Sequence, residues 1–220
     1  MKIYAIVGAG GFGRELMPVA TEMVSAINQN DKAKVVFVVE GAVEEKNING
    51  YEVISDDDFF ELNNEEKFFN IAIGNSEARE RIAKKFIDLG ITPFSIMSHN
   101  SLIMDNNDID LGSVFCPFTT VTSNAKIGKF FQGNIYSYVA HDCVIGDYVT
   151  FAPGAKCNGN VFIDDHAYIG TGAIIKQGKS GAPLRIGKKA IVGMGAVVTK
   201  DVPDGITVIG NPAKPLTKKS

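Results

Sequence analysis

One periodicity limits what this chain can become. From Ile109, steps of six residues fall on Phe115, Val121, Ile127, Gly133, Val139, Ile145, Phe151, Cys157, Ile163, Ile169 and Ile175, and all but Gly133 are apolar. The register then slips by five residues and resumes at Ile186, Val192 and Val198. Two positions before the apolar residue the chain is small, at Ala125, Cys143, Ala155, Ala167, Ala173, Ala190 and Ala196. Glycine follows it at Gly128, Gly146, Gly170, Gly187 and Gly193. Neither an amphipathic helix nor an alternating strand repeats in this way. A triangular coil does, with one short strand on each side: a left-handed parallel β-helix. The large residue then points inward, the small one fills a corner, and the glycine permits the bend. No coil has a complete core alone, so each must stack on its neighbours. Chance strands in a sandwich could not hold one register through so many steps.

The pattern predicts a β-helix domain over 106–220, regular from about Asn106 to Val198. The slip at QGKSGAPL, residues 177–184, predicts a loop expelled from the prism. Beyond Val198, Pro203, Pro212 and Pro215 are expected to end the regular coils.

Residues 1–98 read differently. Lys2–Val7 is an apolar strand, Gly8-Ala9-Gly10-Gly11-Phe12-Gly13 follows it, and Leu16, Val19, Ala20, Met23 and Ile27 recur at helical spacing. Val35–Val39, ending at Glu40, and Phe69–Ile73 are expected strands. Ser55 with Asp56–Asp58 marks one helix start and Ser76 another, whose helix stops at Gly90. Strands alternating with helices predict a small Rossmann-like α/β domain, joined to the β-helix by a polar linker near Ser98–Asn107. The glycine turn follows a strand and opens a helix, where backbone N–H groups can hold phosphate oxygens. Three readings stay open for it: NAD, another nucleotide diphosphate, and a purely structural turn. Against NAD, the domain offers scarcely more than one mononucleotide half, and Glu40 lies beyond the usual acidic spacing.

Composition narrows the partners. A net charge of -3 and a pI near 5.7 give no basic footprint for nucleic acid or an anionic membrane. No run is long and apolar enough for a membrane span, and MKIYAIVGAGG reads as strand and turn, not as a signal peptide. Cys116, Cys143 and Cys157 are odd in number and lack metal-ligand spacing, which fits reduced thiols in a cytoplasmic protein.

A small GAGGFG domain joined to coils containing YSYVAHDCVIGDYVTFAPGAKCNGNV resembles the NeuD/PglD-type sugar O- and N-acetyltransferases. The resemblance covers essentially the whole chain and includes GMGAVVTKDVPDGITVIGNPAK, a stretch common among hexapeptide acyltransferases. It implies an N-terminal domain that holds a nucleotide-linked amino sugar, and a homotrimer whose β-helices hold acetyl-CoA. It further implies N-acetylation of the 4-amino group of a UDP-, dTDP- or GDP-linked deoxy sugar, in lipopolysaccharide O-antigen or other surface glycan biosynthesis. O-acetylation of a sialic acid remains the alternative, since the same base serves a hydroxyl.

Acetyl transfer to an amine requires an unprotonated amine, a polarised carbonyl and alignment of the two. A neutral histidine is the natural base near neutral pH. His141 follows the inward Val139 by two residues, where the coil should turn a polar edge outward. The resemblance assigns it the base, and adjacent Asp142 can fix its tautomer; a solvated turn aspartate is the other reading. His99 in the linker and His166 in an Asp-Asp-His turn read as solvated or structural. Because these three histidines are scattered, a carbonic-anhydrase-like metal enzyme lacks its ligands and no metal is expected. A non-catalytic assembly built on the same β-helix also stays open.

On the acceptor side the expected contacts are Gly10, Gly11, Phe12 and Gly13, with Glu40, Gly74, Asn75 and Arg79 from neighbouring strand ends. Asn134 matches a family position lining the acceptor, or else belongs to an asparagine ladder. For acetyl-CoA the expected contacts are Thr150, Gly159, Thr171, Met194 and Gly195, each equally readable as an ordinary residue of the coil. Some family members carry a second histidine where this chain has Thr150. The thioester oxygen is then expected to rely on a backbone N–H, that of Gly159.

Overall fold

The computed structural model describes residues 1–29, 31–63 and 65–216, and it divides into a unit over Met1–Ser98 and a unit over His99–Ser220.

The first unit runs β1 (Lys2–Val7), α1 (Gly11–Ile27), β2 (Ala33–Val39), β3 (Asn47–Ile48), β4 (Tyr51–Ser55), α2 (Asp56–Glu61), β5 (Glu66–Ile71), α3 (Ser76–Asp88) and β6 (Thr92–Pro93). Its sheet has the order β3-β4-β2-β1-β5-β6, parallel throughout except at β3–β4. β1 is buried from Ile3 to Val7, as a central parallel strand covered on both faces must be. α1 turns Leu16, Met17, Ala20 and Val24 inward. The Ser55 hydroxyl caps α2 by accepting from the Asp58 N–H at 3.0 Å, as expected.

Three expectations need correction here. α3 is capped by Asn75, whose Oδ1 accepts from the Ala78 N–H at 2.8 Å, and not by Ser76. The strand expected at Phe69–Ile73 runs from Glu66 to Ile71. Tyr51–Ser55 is a further parallel strand that sequence reading passed over, because YEVIS is short and carries Glu52. The parallel order β4-β2-β1-β5-β6 therefore extends to both sides of the reversal between β1 and β5, more than one mononucleotide half.

The second unit is a prism of stacked coils. One face stacks Val114–Phe115, Gln132–Gly133, Thr150–Phe151, Tyr168–Ile169 and Ile191–Val192. A second stacks Leu102–Ile103, Thr120–Val121, Tyr138–Val139, Lys156–Cys157, Ile174–Ile175 and Val197–Val198. The third stacks Asp108–Ile109, Lys126–Ile127, Val144–Ile145, Val161–Ile163 and Leu184–Ile186. The six-step residues from Phe115 to Val198 are buried, as are the small residues two positions before them. Burying each large side chain stabilises the coil by about 1.5–3 kcal/mol. Gly133 breaks the apolar pattern because Phe131, at the small position before it, turns its ring into that space. Large and small have exchanged places within one hexad.

The glycines act differently from expectation. Gly128, Gly146, Gly170, Gly187 and Gly193 do not have left-handed backbones. They keep the next coil close: a Cβ on Gly146 would meet Asp165 Oδ1 at 2.6 Å, and one on Gly170 the Val192 carbonyl oxygen at 2.6 Å. The bends occur two residues later, where φ is positive at Asn106, Gly112, Phe118, Asn124, Phe130, Tyr136, Asp142, Tyr148, Gly154, Asn160, His166 and Gly172.

The prism is also longer than expected. Leu102–Ile103, placed in the linker from sequence, already belongs to it. Val202 and Val208 still contribute to the core beyond Val198, with Thr207–Ile209 stacked on Ile191–Val192. The slip is an exposed excursion closed by a Lys179–Ala182 bridge, after which Leu184–Ile186 stacks on Val161–Ile163. No helix among the described residues is long and apolar enough to cross a membrane.

Candidate active site

In the prism, the second and third residues after each inward residue form a corner. One corner carries Asp105-Asn106, Ser123-Asn124, His141-Asp142 and Gly159-Asn160 on successive coils. Asparagine and aspartate tolerate the left-handed conformation because their short polar side chains bond locally. That accounts for the column, and it places His141 one residue ahead of the bend. The imidazole is 47% exposed, open to a substrate, and its Nδ1 lies 2.7 Å from Asp142 Oδ2. That approach suits an Nδ1–H donated to the carboxylate, which leaves a lone pair on Nε2.

Gly159 lies one coil further along the same corner, directly against this ring. A Cβ there would stand 2.5 Å from His141 Nε2. The His141 carbonyl in turn accepts from the Asn160 N–H at 3.0 Å. Among the described residues no acceptor takes the Gly159 N–H. The structure thus brings together His141, Asp142 and Gly159.

The remaining expected residues of the β-helix lie elsewhere on it. Thr171, Met194 and Gly195 share a different corner, where the Gly195 N–H donates to the Thr171 carbonyl at 2.8 Å and Met194 is exposed to solvent. Asn134 leads into that second corner too, and its amide donates to the Phe151 carbonyl at 3.1 Å. Thr150 is a buried strand residue on the face opposite the His141 corner. Within one chain, Asn134 and Thr150 do not reach His141. His166 is a corner residue whose ring stacks on Tyr148 at 5.3 Å between centroids.

In the first unit, the loops after β1 and β5 meet at the reversal of strand order. A Cβ at Gly8 would lie 3.0 Å from Ile73 and 3.1 Å from the Ala72 carbonyl. Gly10, Gly11 and Gly74 face open space there, with Phe12 half-buried beside them. Gly13 is different: a Cβ would overlap the Gly8 carbonyl oxygen, so it packs α1 against β1 and is not presented to a ligand. Arg79 is also turned inward, fully buried, with its guanidinium donating to the carbonyls of Ile73 and Gly74 at 2.9 and 3.1 Å. It shapes the loop from within. The Asn75 side chain is held by its cap, and Glu40 is gripped by both Arg81 terminal nitrogens at 2.7 Å. That pairing, which sequence did not reveal, holds the Glu40 carboxyl below its ordinary range. Beside Gly10 opens a cavity of about 360 Å³ floored by Val39, Ile48 and Val53, with Glu44 and Glu45 in its wall.

The cysteines are buried throughout. Cys143 and Cys157 stand 3.9 Å apart inside the prism, and Cys143 donates to the Asn158 carbonyl at 3.2 Å. The shared hydrogen bond and burial push the Cys157 thiol well up.

Comparison with known proteins agrees with this picture. Residues 4–86 match the PglD N-terminal domain. The GDP-perosamine N-acetyltransferase of Escherichia coli O157:H7 is 49% identical over 218 residues, covering 99% of this chain and 98% of its own length. The solved structure of WeeI from Acinetobacter baumannii AYE is 53% identical with a TM-score of 0.92, over 98% of this chain and all of that one (100%). The acetyltransferase domain of PglB from Neisseria gonorrhoeae FA1090, in complex with acetyl coenzyme A, is 28% identical with a TM-score of 0.85, over 98% of this chain and 99% of that one. A glycine-turn α/β unit, a hexapeptide prism with a carboxylate-paired histidine, and near-full-length identity with such relatives place the chain in the NeuD/PglD-type sugar acetyltransferase family: it is an acetyltransferase.

Proposed function

We propose that this enzyme transfers the acetyl group of acetyl-CoA to the 4-amino group of a nucleotide-linked amino-deoxy sugar, with His141 as general base. The observation that carries the reading is the Asp142–His141 pair resting on Gly159. The carboxylate orients the ring and stabilises its protonated form, and Nε2 is left to accept a proton. The amine nitrogen adds to the thioester carbonyl carbon while Nε2 takes its proton. The tetrahedral adduct then expels sulfur: the C–S bond breaks, and the proton returns from imidazolium to give the CoA thiol and the amide. The Gly159 N–H is the donor assigned to the carbonyl oxygen as it gains charge. No acetyl-enzyme is required, and burial of Cys143 and Cys157 keeps their thiols from the substrate.

The first unit's role is to hold the nucleotide. Gly10, Gly11 and Gly74 leave their backbones open to a diphosphate at the strand-order reversal. The adjoining apolar cavity suits a base, and a Glu44 or Glu45 carboxylate suits the N–H edge of guanine better than the carbonyl-flanked edge of uracil. With a GDP-perosamine N-acetyltransferase as relative, GDP-perosamine is the first acceptor to try. The protein works as a homotrimer on this reading. Its support is that acetyl-CoA contacts at the Thr171–Gly195 corner and the base at the His141 corner lie apart in one copy, so a neighbour completes each site. The setting is the cytoplasm, where buried free thiols stay reduced.

The test is a product assay with acetyl-CoA against GDP-, UDP- and dTDP-linked 4-amino sugars and a sialic acid, with mass in solution measured by light scattering. One acetyl per CoA thiol released, on an amine and by a trimer, supports the reading. Acetylation of sialic acid alone, or full activity as a monomer, contradicts it.

A further inference from the structure

Tyr138 lies on the strand that leads directly into the His141 turn, half-buried. Its hydroxyl donates to Asn158 Oδ1 at 2.9 Å. The Asn158 amide donates to the Ile175 carbonyl at 2.7 Å, and its backbone N–H donates to the same carbonyl at 3.3 Å. The Asn158 carbonyl accepts from Cys143 Sγ at 3.2 Å. Every polar group of Asn158 is therefore engaged. The next residue is Gly159, whose bare Cα forms the bed of the His141 ring, and Asn160 bonds back to the His141 carbonyl.

The repeat does not require this arrangement. At the position of Tyr138 the other coils carry Leu102, Thr120, Lys156, Ile174 and Val197. The tyrosine–asparagine pair joins the coil that bears His141 to the next one, which carries Gly159. Burial pushes the Tyr138 phenol up, so at neutral pH it remains the donor and fixes which way the Asn158 amide points.

We propose that Tyr138 and Asn158 are positioning residues for acetyl transfer, holding the Asn158–Gly159 turn so that the His141 imidazole keeps its place. This rests on His141 being the base. Tyr138→Phe is expected to lower kcat about 10- to 100-fold, the range associated with a small misplacement of reacting groups. The KM values for acetyl-CoA and GDP-perosamine should stay near those of the unaltered enzyme.

The test is a cycle: Tyr138→Phe and Asn158→Ala, each in the unaltered and the His141→Asn backgrounds. If the pair acts through His141, its effect on kcat disappears in the second background. An equal loss in both, or a KM change with kcat intact, overturns the proposal. A separate readout does not depend on turnover. The chain has 3 histidines, so the His141 Cε1–Hε1 resonance can be assigned by NMR. It should shift or broaden in folded Tyr138→Phe and stay put in Tyr168→Phe. If His141→Asn alone keeps normal kcat, the base reading falls, and an unmoved resonance then overturns the positioning claim as well.

Discussion

Two corners of the prism use the same backbone conformation for different ends. On one, the left-handed residues are Asn106, Asn124, Asp142 and Asn160; on the other they are Gly112, Phe130, Tyr148 and His166. That conformation costs an ordinary side chain about 1–2 kcal/mol. The aromatic corner offsets it by stacking: Phe130 on Tyr148 at 5.5 Å and Tyr148 on His166 at 5.3 Å between centroids, with the ring planes nearly parallel. Such pairs contribute about 0.5–1.5 kcal/mol each beyond their burial. The polar corner needs no such help, and its side chains stay at the solvent-facing surface. Each corner carries a histidine, one within the bend and one a residue before it. Position in the hexad decides the difference: His166 builds the coil, while His141 stands off it over a glycine.

The largest expected effect tests that contrast directly. His141→Asn should lower kcat by about 10²–10⁴, the usual contribution of general-base assistance, with little change in the KM for acetyl-CoA. His166→Asn should leave kcat near normal well below its melting temperature. Near-normal turnover by His141→Asn across about pH 6 to 9 would make the two histidines equivalent and end the assignment.

Next is Gly159→Ala. The new Cβ cannot coexist with the present imidazole position, so kcat should fall up to about 100-fold. Ser123→Ala, at the same hexad position two coils earlier, should change nothing measurable. A functional Gly159→Ala enzyme would mean that the ring does not need its bed.

Asp142→Asn sharpens the comparison further. Asparagine already occupies the bend on neighbouring coils, so melting should hardly change while the negative charge is lost. The kcat loss should be real but smaller than for His141→Asn, because Asp142 orients the base without taking the proton. If Asp142→Asn melts early and turns over normally, the residue belongs to the fold and not to the chemistry.

The smallest effect falls on the aromatic corner. Tyr148→Ala removes both stacks and should destabilise the protein by about 1–3 kcal/mol. Calorimetry should register about 2–4 °C for each kcal/mol. Unaltered kcat at low temperature, with the melting point reduced, is the expected pairing; lost turnover would tie this corner to the site.

Much of this was legible from residues alone because a period of six repeats one physical demand many times. Inward Ile, Val and Phe, small corner fillers and an excursion after Ile175 all follow from what fits inside a narrow prism, although Leu184, expected in that excursion, is back in the core. The glycine turn after β1 and its helix were equally clear, since a buried strand and a helical stripe leave separate signatures. His141 stood out by its place after Val139, and the resemblance supplied its role. What the one-dimensional pattern could not show are relations across a coil of eighteen residues or across the sheet. The His141 ring seated on Gly159 and the Tyr138 hydroxyl on Asn158 each join residues that only stacking makes neighbours. Arg79 and Gly13 looked like ligand contacts by spacing, yet the folded loop turns the first inward and packs the second against Gly8. Glu40 looked available until Arg81, from another element, gripped it. Sequence determined which side chains must be buried, because burial repeats with the backbone's own period. Tertiary structure decided which polar groups remain for substrate, because that depends on the partners each one finds in space.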